Sequence, residues 1–242
     1  MHMYIKLVLW LFLMIMLLSI INFYISIHPP KFKTNVTPAT YNLTYEKITF
    51  ETTDGLKLAG WLMPNKLSNK AIIITHGYPF DKNNILTGTY FLAQKYNLIL
   101  FDFRYFGESE GKYTTAGYHE TKDFLAAVQY LKERNVTNIG ALGFSLGAAA
   151  ILMANSPDVK AIVSDSSYAS IGKMIERSYY IFPGIIKLPF VYLTKLYSRI
   201  FLKINIEDIS PLNEIKKIKV PILFIHGEKD SIVPLRNAVL MS

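Results

Sequence analysis

Five short, mostly apolar runs constrain this chain more than any other feature: Ala71–Thr75, Leu98–Phe103, Ile139–Gly143, Ala161–Ser164 and Ile222–Ile225. Runs of four to six residues without polar alternation mark strands buried on both faces, the condition of a parallel sheet covered by helices. Between them, Ile85–Lys95, Gly117–Arg134 and Leu146–Asn155 repeat apolar residues at three- and four-residue spacing, as crossover helices do. Upstream, Tyr45–Phe50 and Leu56–Leu62 read as an antiparallel hairpin turning at Asp54-Gly55. The expectation is an α/β fold, a mostly parallel sheet with helices on both faces, entered through a hairpin. Ligands of such sheets bind beyond the carboxyl ends of the strands, so chemistry is sought just after each run.

After the run Ile139–Gly143 comes Gly143-Phe144-Ser145-Leu146-Gly147, a G-x-S-x-G pattern leading straight into a helix. A serine on so tight a strand-to-helix turn occupies a strained backbone conformation, and the flanking glycines remove Cβ atoms that would collide. Ser145 is thereby the candidate nucleophile, and the Leu146 N–H at the helix start is placed to stabilise an oxyanion. His76-Gly77-Tyr78-Pro79 follows the first parallel run, where the Tyr78 N–H is the candidate second oxyanion donor and His76 is read as a brace for its loop. In Phe101–Gly111, Asp102 and Arg104 are read as a pair stabilising an acid- and glycine-rich loop. Asp230, just beyond the last run, is the orienting carboxylate, and His226 beside it is read as a packed residue. Asp165, after Ala161–Ser164, is a second candidate acid ranked behind Asp230, because Asp-Ser-Ser also suits a simple turn.

In their order and spacing, Gly143–Gly147, His76–Pro79, Asp102–Gly111 and His226–Pro234 resemble the α/β-hydrolase superfamily, and within it the membrane-anchored, serine aminopeptidase-like branch. The resemblance runs from about Tyr45 to the last residue. It implies Ser145 as nucleophile, Asp230 as acid, and Tyr78 with Leu146 as the oxyanion hole. One departure is Tyr105, where the branch usually has glycine.

A larger departure concerns the base. In this fold the triad runs serine, acid, histidine, with the histidine after the acid. No histidine follows His226, and Ser242 stands twelve residues after Asp230. His119 opens a helix, where surface or capping roles suit it, and His2 and His28 flank an apolar segment. The expectation is therefore that the triad histidine, the final strand and the last helix lie outside these residues. Two functions follow: a membrane-anchored serine hydrolase cleaving esters, thioesters or amides through an acyl-enzyme on Ser145, or a catalytically inactive, membrane-tethered binding or scaffold protein of the same fold.

Leu7–Ile27 carries no charge over 21 residues, and at about 1.5 Å per residue a helix of that length matches the roughly 30 Å of a hydrocarbon core. No small-x-small cleavage site follows it, which favours a retained single-pass anchor over a secretory signal. Lys6 lies on one flank and Lys31, Lys33 and Lys47 on the other, so the side of the membrane stays open. The organisation expected is an anchor over 1–28, a linker over 29–44 and a hydrolase domain over 45–242.

The net charge of +8 is local: residues 1–33 contribute +3, residues 168–205 contribute +5, and the remainder sums to zero. The second of these segments, rich in Tyr, Phe and Ile, exceeds what one crossover helix needs. It is read as a cap of two helices broken near Pro183-Gly184 and Pro189. Such a cap could hold acyl chains or rest on an anionic bilayer, giving a lipid ester or thioester a slight preference over a peptide or amide. No nucleic-acid recognition motif accompanies the charge, and the chain has no cysteine, no H-E-x-x-H, no Walker loop and no dinucleotide fingerprint, so no metal or cofactor is expected.

Overall fold

The computed structural model describes residues 2–32, 34–180 and 182–242; Met1, Ile181 and Lys33, one of the bases counted in the amino-terminal segment, lie outside the described residues. Seven strands form one sheet: β1 Glu46–Glu51, β2 Lys57–Met63, β3 Lys70–Thr75, β4 Asn97–Phe101, β5 Asn138–Phe144, β6 Val159–Asp165 and β7 Ile222–Ile225. Their spatial order is β1-β2-β4-β3-β5-β6-β7. The β1–β2 and β2–β4 pairs are antiparallel, and β4, β3, β5, β6 and β7 run parallel. Every expected strand is present.

The apolar runs are unbroken because alternate residues feed two cores. Ile73, Ile99, Phe101 and Ala141 face one side, where Phe124 and Leu131 of α3 (Glu120–Glu133) and Ile151 of α4 (Leu146–Ala154) cover them. Ile74, Leu98 and Leu100 face the other, against Trp61 and Leu86 of α2 (Lys82–Thr89). Helix α2 starts three residues earlier than the apolar spacing indicates, because Asp81 caps it by accepting from the Asn83 and Asn84 N–H groups. The hairpin connection is longer than a two-residue turn. Its loop closes through Thr52, whose N–H donates to Leu56 C=O and whose hydroxyl donates to Asp54 at 2.6 Å.

The chain winds from β3 to β4 in one direction and then to β5 on the other side of β3, so the carboxyl ends of β3 and β5 flank a topological switch point. Register sharpens that placement. Thr75 pairs with Phe101 and Gly143, Gly143 with Ser164, and Ser164 with Phe224, so one row crosses five strands. Asp165 ends β6 one residue beyond that row, and the loops holding Tyr78, Asp102, Ser145 and Asp230 leave the sheet at the same end.

Two further elements shape the site. The cap consists of α5 (Ile171–Ser178) and α6 (Gly184–Tyr197). Helix α6 begins at Gly184 as expected, but Pro189 lies inside it and does not end it. Proline there removes only the N–H that would bond Ile185 C=O, and the following turn is held by buried Val191, Leu193 and Tyr197. Helix α1 (His2–Ile27) is 26 residues of mostly exposed apolar side chains, long and apolar enough to cross a membrane. Its second half packs on α6 through Phe23, Leu193 and Tyr197.

Candidate active site

Ser145 sits between β5 and α4 with φ 49° and ψ −111°, the strained turn anticipated from its flanking glycines. A Cβ on Gly143 would lie 2.5 Å from the Ala148 nitrogen, and one on Gly147 would lie 2.6 Å from the His76 carbonyl oxygen. Neither position tolerates a side chain, so the elbow and the β3 loop touch backbone to backbone. The Ser145 N–H donates to Asp165 C=O at 2.8 Å, fixing the elbow to β6. Leu146 is the first residue of α4, so its N–H has no helical acceptor, and the Tyr78 N–H donates to no backbone carbonyl among the described turns.

Two cavities meet at Ser145. One, of about 460 Å³, holds Ser145, Leu146 and Tyr78 and runs under the cap past Met174 and Ile175. The other, of about 530 Å³, brings Ser145 together with Asp165, Asp230 and Phe80. Ser145 and Tyr78 line both cavities, Leu146 the first and Asp230 the second. Asp165 shares that second cavity, but its carboxylate accepts from the neighbouring Ser166 hydroxyl at 2.8 Å, as in a local turn.

The histidines are placed elsewhere. His76 is fully buried, with Nδ1 bonded to Gly77 C=O at 2.9 Å and Nε2 accepting from the Phe103 N–H at 3.0 Å. Both nitrogens are committed to the loop, and burial holds the imidazole below its usual pKa, so His76 braces as expected. His226 lies one residue past β7. Its Nε2 bonds Val233 C=O at 2.6 Å and stands 3.8 Å from Asp230 Oδ2, while its side chain is only 2% exposed. His119 precedes α3 but makes no side-chain cap bond. Burial, together with Arg104 and Lys122, keeps its imidazole below the usual range. Among the described residues no histidine lines either cavity or bonds the Ser145 hydroxyl.

The reading of Asp102 and Arg104 as partners is corrected. Asp102 binds Lys82, whose ammonium lies 2.6 Å from Asp102 Oδ2 and 2.6 Å from Glu108. Burial alone would lower the Lys82 pKa, but these two carboxylates outweigh it and hold the amine above its usual range. Arg104 instead forks onto Asp123 of α3 at 2.6 Å and reaches Asp54 of the hairpin loop at 3.0 Å. The two side chains brace the loop, but each through a remote partner.

Tyr105 has φ 74°, in the left-handed region where glycine is at ease, which accounts for the family preference at this position. In exchange its hydroxyl donates to Pro29 C=O at 2.8 Å and ties the linker to the loop. Sequence reasoning missed two features. Glu120, fully buried, accepts from the Thr114 and Thr115 hydroxyls and from the Thr115 and Gly117 N–H groups, knotting a segment that lines the cavity. The segment Asn22–Ile27 of α1 also lines it, through contacts spanning more than a hundred residues.

The family model described as X-Pro dipeptidyl-peptidase (S15 family) matches residues 36–199. Protein bem46 of Schizosaccharomyces pombe is 30% identical over 231 residues, covering 90% of this chain and 72% of the relative. The α/β-hydrolase domain-containing protein WAV2 of Arabidopsis thaliana is 29% identical over 214 residues, 82% of this chain and 66% of the relative. Among solved structures, the Pyrococcus furiosus esterase Pf2001 superposes with a TM-score of 0.69 and 28% identity, covering 88% of this chain and 82% of that one. With its sheet order, its serine elbow and these matches, the chain belongs to the α/β-hydrolase superfamily.

Proposed function

We propose that this protein is a membrane-anchored serine hydrolase that cleaves acyl esters through an acyl-enzyme on Ser145. The observation that carries the reading is the strained Ser145 turn, held against the Tyr78 loop and opening into a largely apolar cavity. Ser145 Oγ attacks the ester carbonyl carbon and gives its proton to a base. The carbonyl oxygen becomes an oxyanion received by the Tyr78 and Leu146 N–H groups. Collapse returns the base's proton to the departing alcohol and leaves an acyl-serine, which water then hydrolyses with the same proton relay. Asp230 orients that base through its carboxylate in the cavity it shares with Ser145. The base itself is an imidazole other than His76, His119 and His226 as they are placed here. The match to an esterase structure favours esters over peptides, and helix α1 supplies the anchor.

A fluorophosphonate reports directly on the nucleophile. Wild-type protein should be labelled at Ser145 and Ser145→Ala should not; equal labelling of both would end this reading. A second reading, binding without turnover, is favoured because among the described residues no histidine bonds the Ser145 hydroxyl or lines either cavity. It predicts ligand binding that Ser145→Ala leaves intact, with no hydrolysis of short p-nitrophenyl esters.

A further inference from the structure

The cavity that opens on Ser145 has helix α1 as one of its walls: Asn22, Phe23, Ser26 and Ile27 face the same space as Ser145 and Met174. The contact is made with specific polar groups as well as apolar ones. Ser26 C=O accepts from the Tyr78 hydroxyl at 3.3 Å, Ile27 C=O from the Thr114 N–H at 3.0 Å, and Asn22 Oδ1 from the Tyr179 hydroxyl at 2.9 Å. One turn earlier, the Ser19 and Tyr197 hydroxyls meet at 3.1 Å, and Phe23 is 5% exposed between Leu193 and Tyr197.

This seating limits where a bilayer can lie. The part of α1 that stands clear of the cap, Met3–Met14, is about 18 Å long, well short of the roughly 30 Å of a hydrocarbon core. For α1 to span as it is seated, part of Ile15–Ile27 must also lie in hydrocarbon, together with the helix packed on it. The outer face of α6 suits that position. Ile185, Leu188 and Tyr192, spaced along one stripe, are 84%, 68% and 67% exposed, and Ile200 and Phe201 continue the apolar surface. Lys203 and Arg199 stand exposed at the same end of the cap, where anionic headgroups would meet them.

We infer that the substrate is a membrane lipid ester whose acyl chain enters the Ser145 cavity from the bilayer between α1 and α6, with Asn22–Ile27 as a wall of the binding site. The cavity volume of about 460 Å³ lies within the range of small-molecule sites and is mostly apolar in its lining. The chemistry rests on the serine hydrolase reading above, but the binding geometry does not require turnover. The anchor on this view is part of the substrate site as well as a tether, and a chain cut away from α1 would lose long-chain substrates first.

The test is photo-crosslinking of the full chain in nanodiscs of phosphatidylcholine and phosphatidylglycerol, using a palmitoyl-length monoacylglycerol that carries a diazirine near its methyl end. Adducts mapped by mass spectrometry should concentrate on Asn22–Ile27 and Ile171–Ser178. Ser26→Trp and Met174→Trp fill the cavity from opposite walls, and each should lower that yield by about tenfold, the equivalent of about 1.4 kcal/mol of binding. Leu9→Trp, on the free half of α1, should change it by less than about twofold. Adducts spread evenly from Leu7 to Ile27, or yields that neither cavity-filling variant alters in a protein of unchanged melting temperature, overturn the inference. Fluorophosphonate labelling on the same samples separates the two readings, because it reports Ser145 whether or not the lipid reaches it.

Discussion

The loops after β4 and after β7 both bring carboxylates to the same edge of the sheet, yet they are bonded in opposite ways. Asp102 has both oxygens engaged: Oδ1 accepts from the Lys82 N–H, and Oδ2 from the Lys82 ammonium and the Glu108 N–H. Asp123 likewise receives the Arg104 guanidinium and main-chain N–H. At the other end, Asp230 uses Oδ1 for the Ile232 and Val233 N–H groups and leaves Oδ2 only a 3.8 Å approach to an imidazole already bonded elsewhere. Ser164 Oγ and His226 Nδ1 are buried there without a partner. A carboxylate with both oxygens engaged is scaffold, whereas one with an oxygen to spare can still receive a proton-bearing group. The β4 side should therefore govern stability and the β7 side activity.

The largest effect expected is on turnover. Asp230→Asn keeps the Oδ1 acceptor that shapes its loop but cannot orient an imidazolium, and loss of an orienting carboxylate costs about 10⁴-fold in kcat. Asp165→Asn should cost less than about tenfold, since its carboxylate serves a local turn. Ester hydrolysis by both variants, with melting curves beside it, decides between the acids; the reverse ranking would move the orienting role to Asp165.

Asp102→Ala is expected to act on stability. It strands the Lys82 ammonium, 1% exposed, next to only one remaining carboxylate, and breaking a buried pair from one side costs about 3–5 kcal/mol. The shift should appear as a lowered denaturant midpoint. Lys82→Met added to Asp102→Ala should recover part of it, because the stranded charge goes as well. If the single variant melts like wild type, the β4 loop is not the scaffold its bonding indicates.

That contrast was only partly legible in the sequence. The strands were, because runs buried on both faces leave no polar interruption, and so was the Ser145 turn, because a Cβ at Gly143 or Gly147 would come within 2.5 to 2.6 Å of neighbouring backbone, so only glycine fits. The wiring of the charges was not. Asp102 and Arg104 are two apart and of opposite sign, so pairing them is the local reading, but both lie past Phe101, the end of β4, in a loop where the strand rule that puts residues two apart on one face no longer applies. Their partners come from α2, α3 and the hairpin loop, 19 to 50 residues away. The wall supplied by α1 was hidden for the same reason: an apolar helix gives the same composition whether lipid or a cap helix covers it. Tyr179 and Tyr197 meet it from more than 150 residues downstream.

Asp54 tests the β4 side by pH. Although burial opposes it, hydrogen bonds from Arg104, Thr52 and Lys122 hold its carboxyl well below the usual 3.8. The folded state therefore binds fewer protons than the unfolded state as pH falls below 3.8, so the stabilisation is complete above that value and is lost as pH drops through the depressed pKa. At neutral pH Asp54→Asn should cost about 1–2 kcal/mol, between the values for surface and buried ionic bonds. The difference from wild type should shrink in acid below pH 3.8. A penalty that stays constant into strong acid would mean that Asp54 acts by packing and not by charge.

The smallest effect expected has the opposite sign. Ser164, 1% exposed on β6, has its hydroxyl buried with no partner, and a buried hydroxyl left unbonded costs about 1–3 kcal/mol relative to water. Ser164→Ala removes that oxygen without changing the strand, and the small void it leaves offsets part of the gain. The net expectation is a stabilisation of about 0.5–1 kcal/mol, read from chemical melts at neutral pH. The matching change on the β4 side, Ser109→Ala, should destabilise, because the Ser109 hydroxyl accepts from the Ala59 N–H and donates to Asp102 C=O at 2.6 Å. Two serine-to-alanine changes of opposite sign would establish that the Ser109 hydroxyl is satisfied and the Ser164 hydroxyl is not. Destabilisation by both would show that the Ser164 hydroxyl is bonded in solution, and the asymmetry between the two sides would then rest on Asp230 and His226.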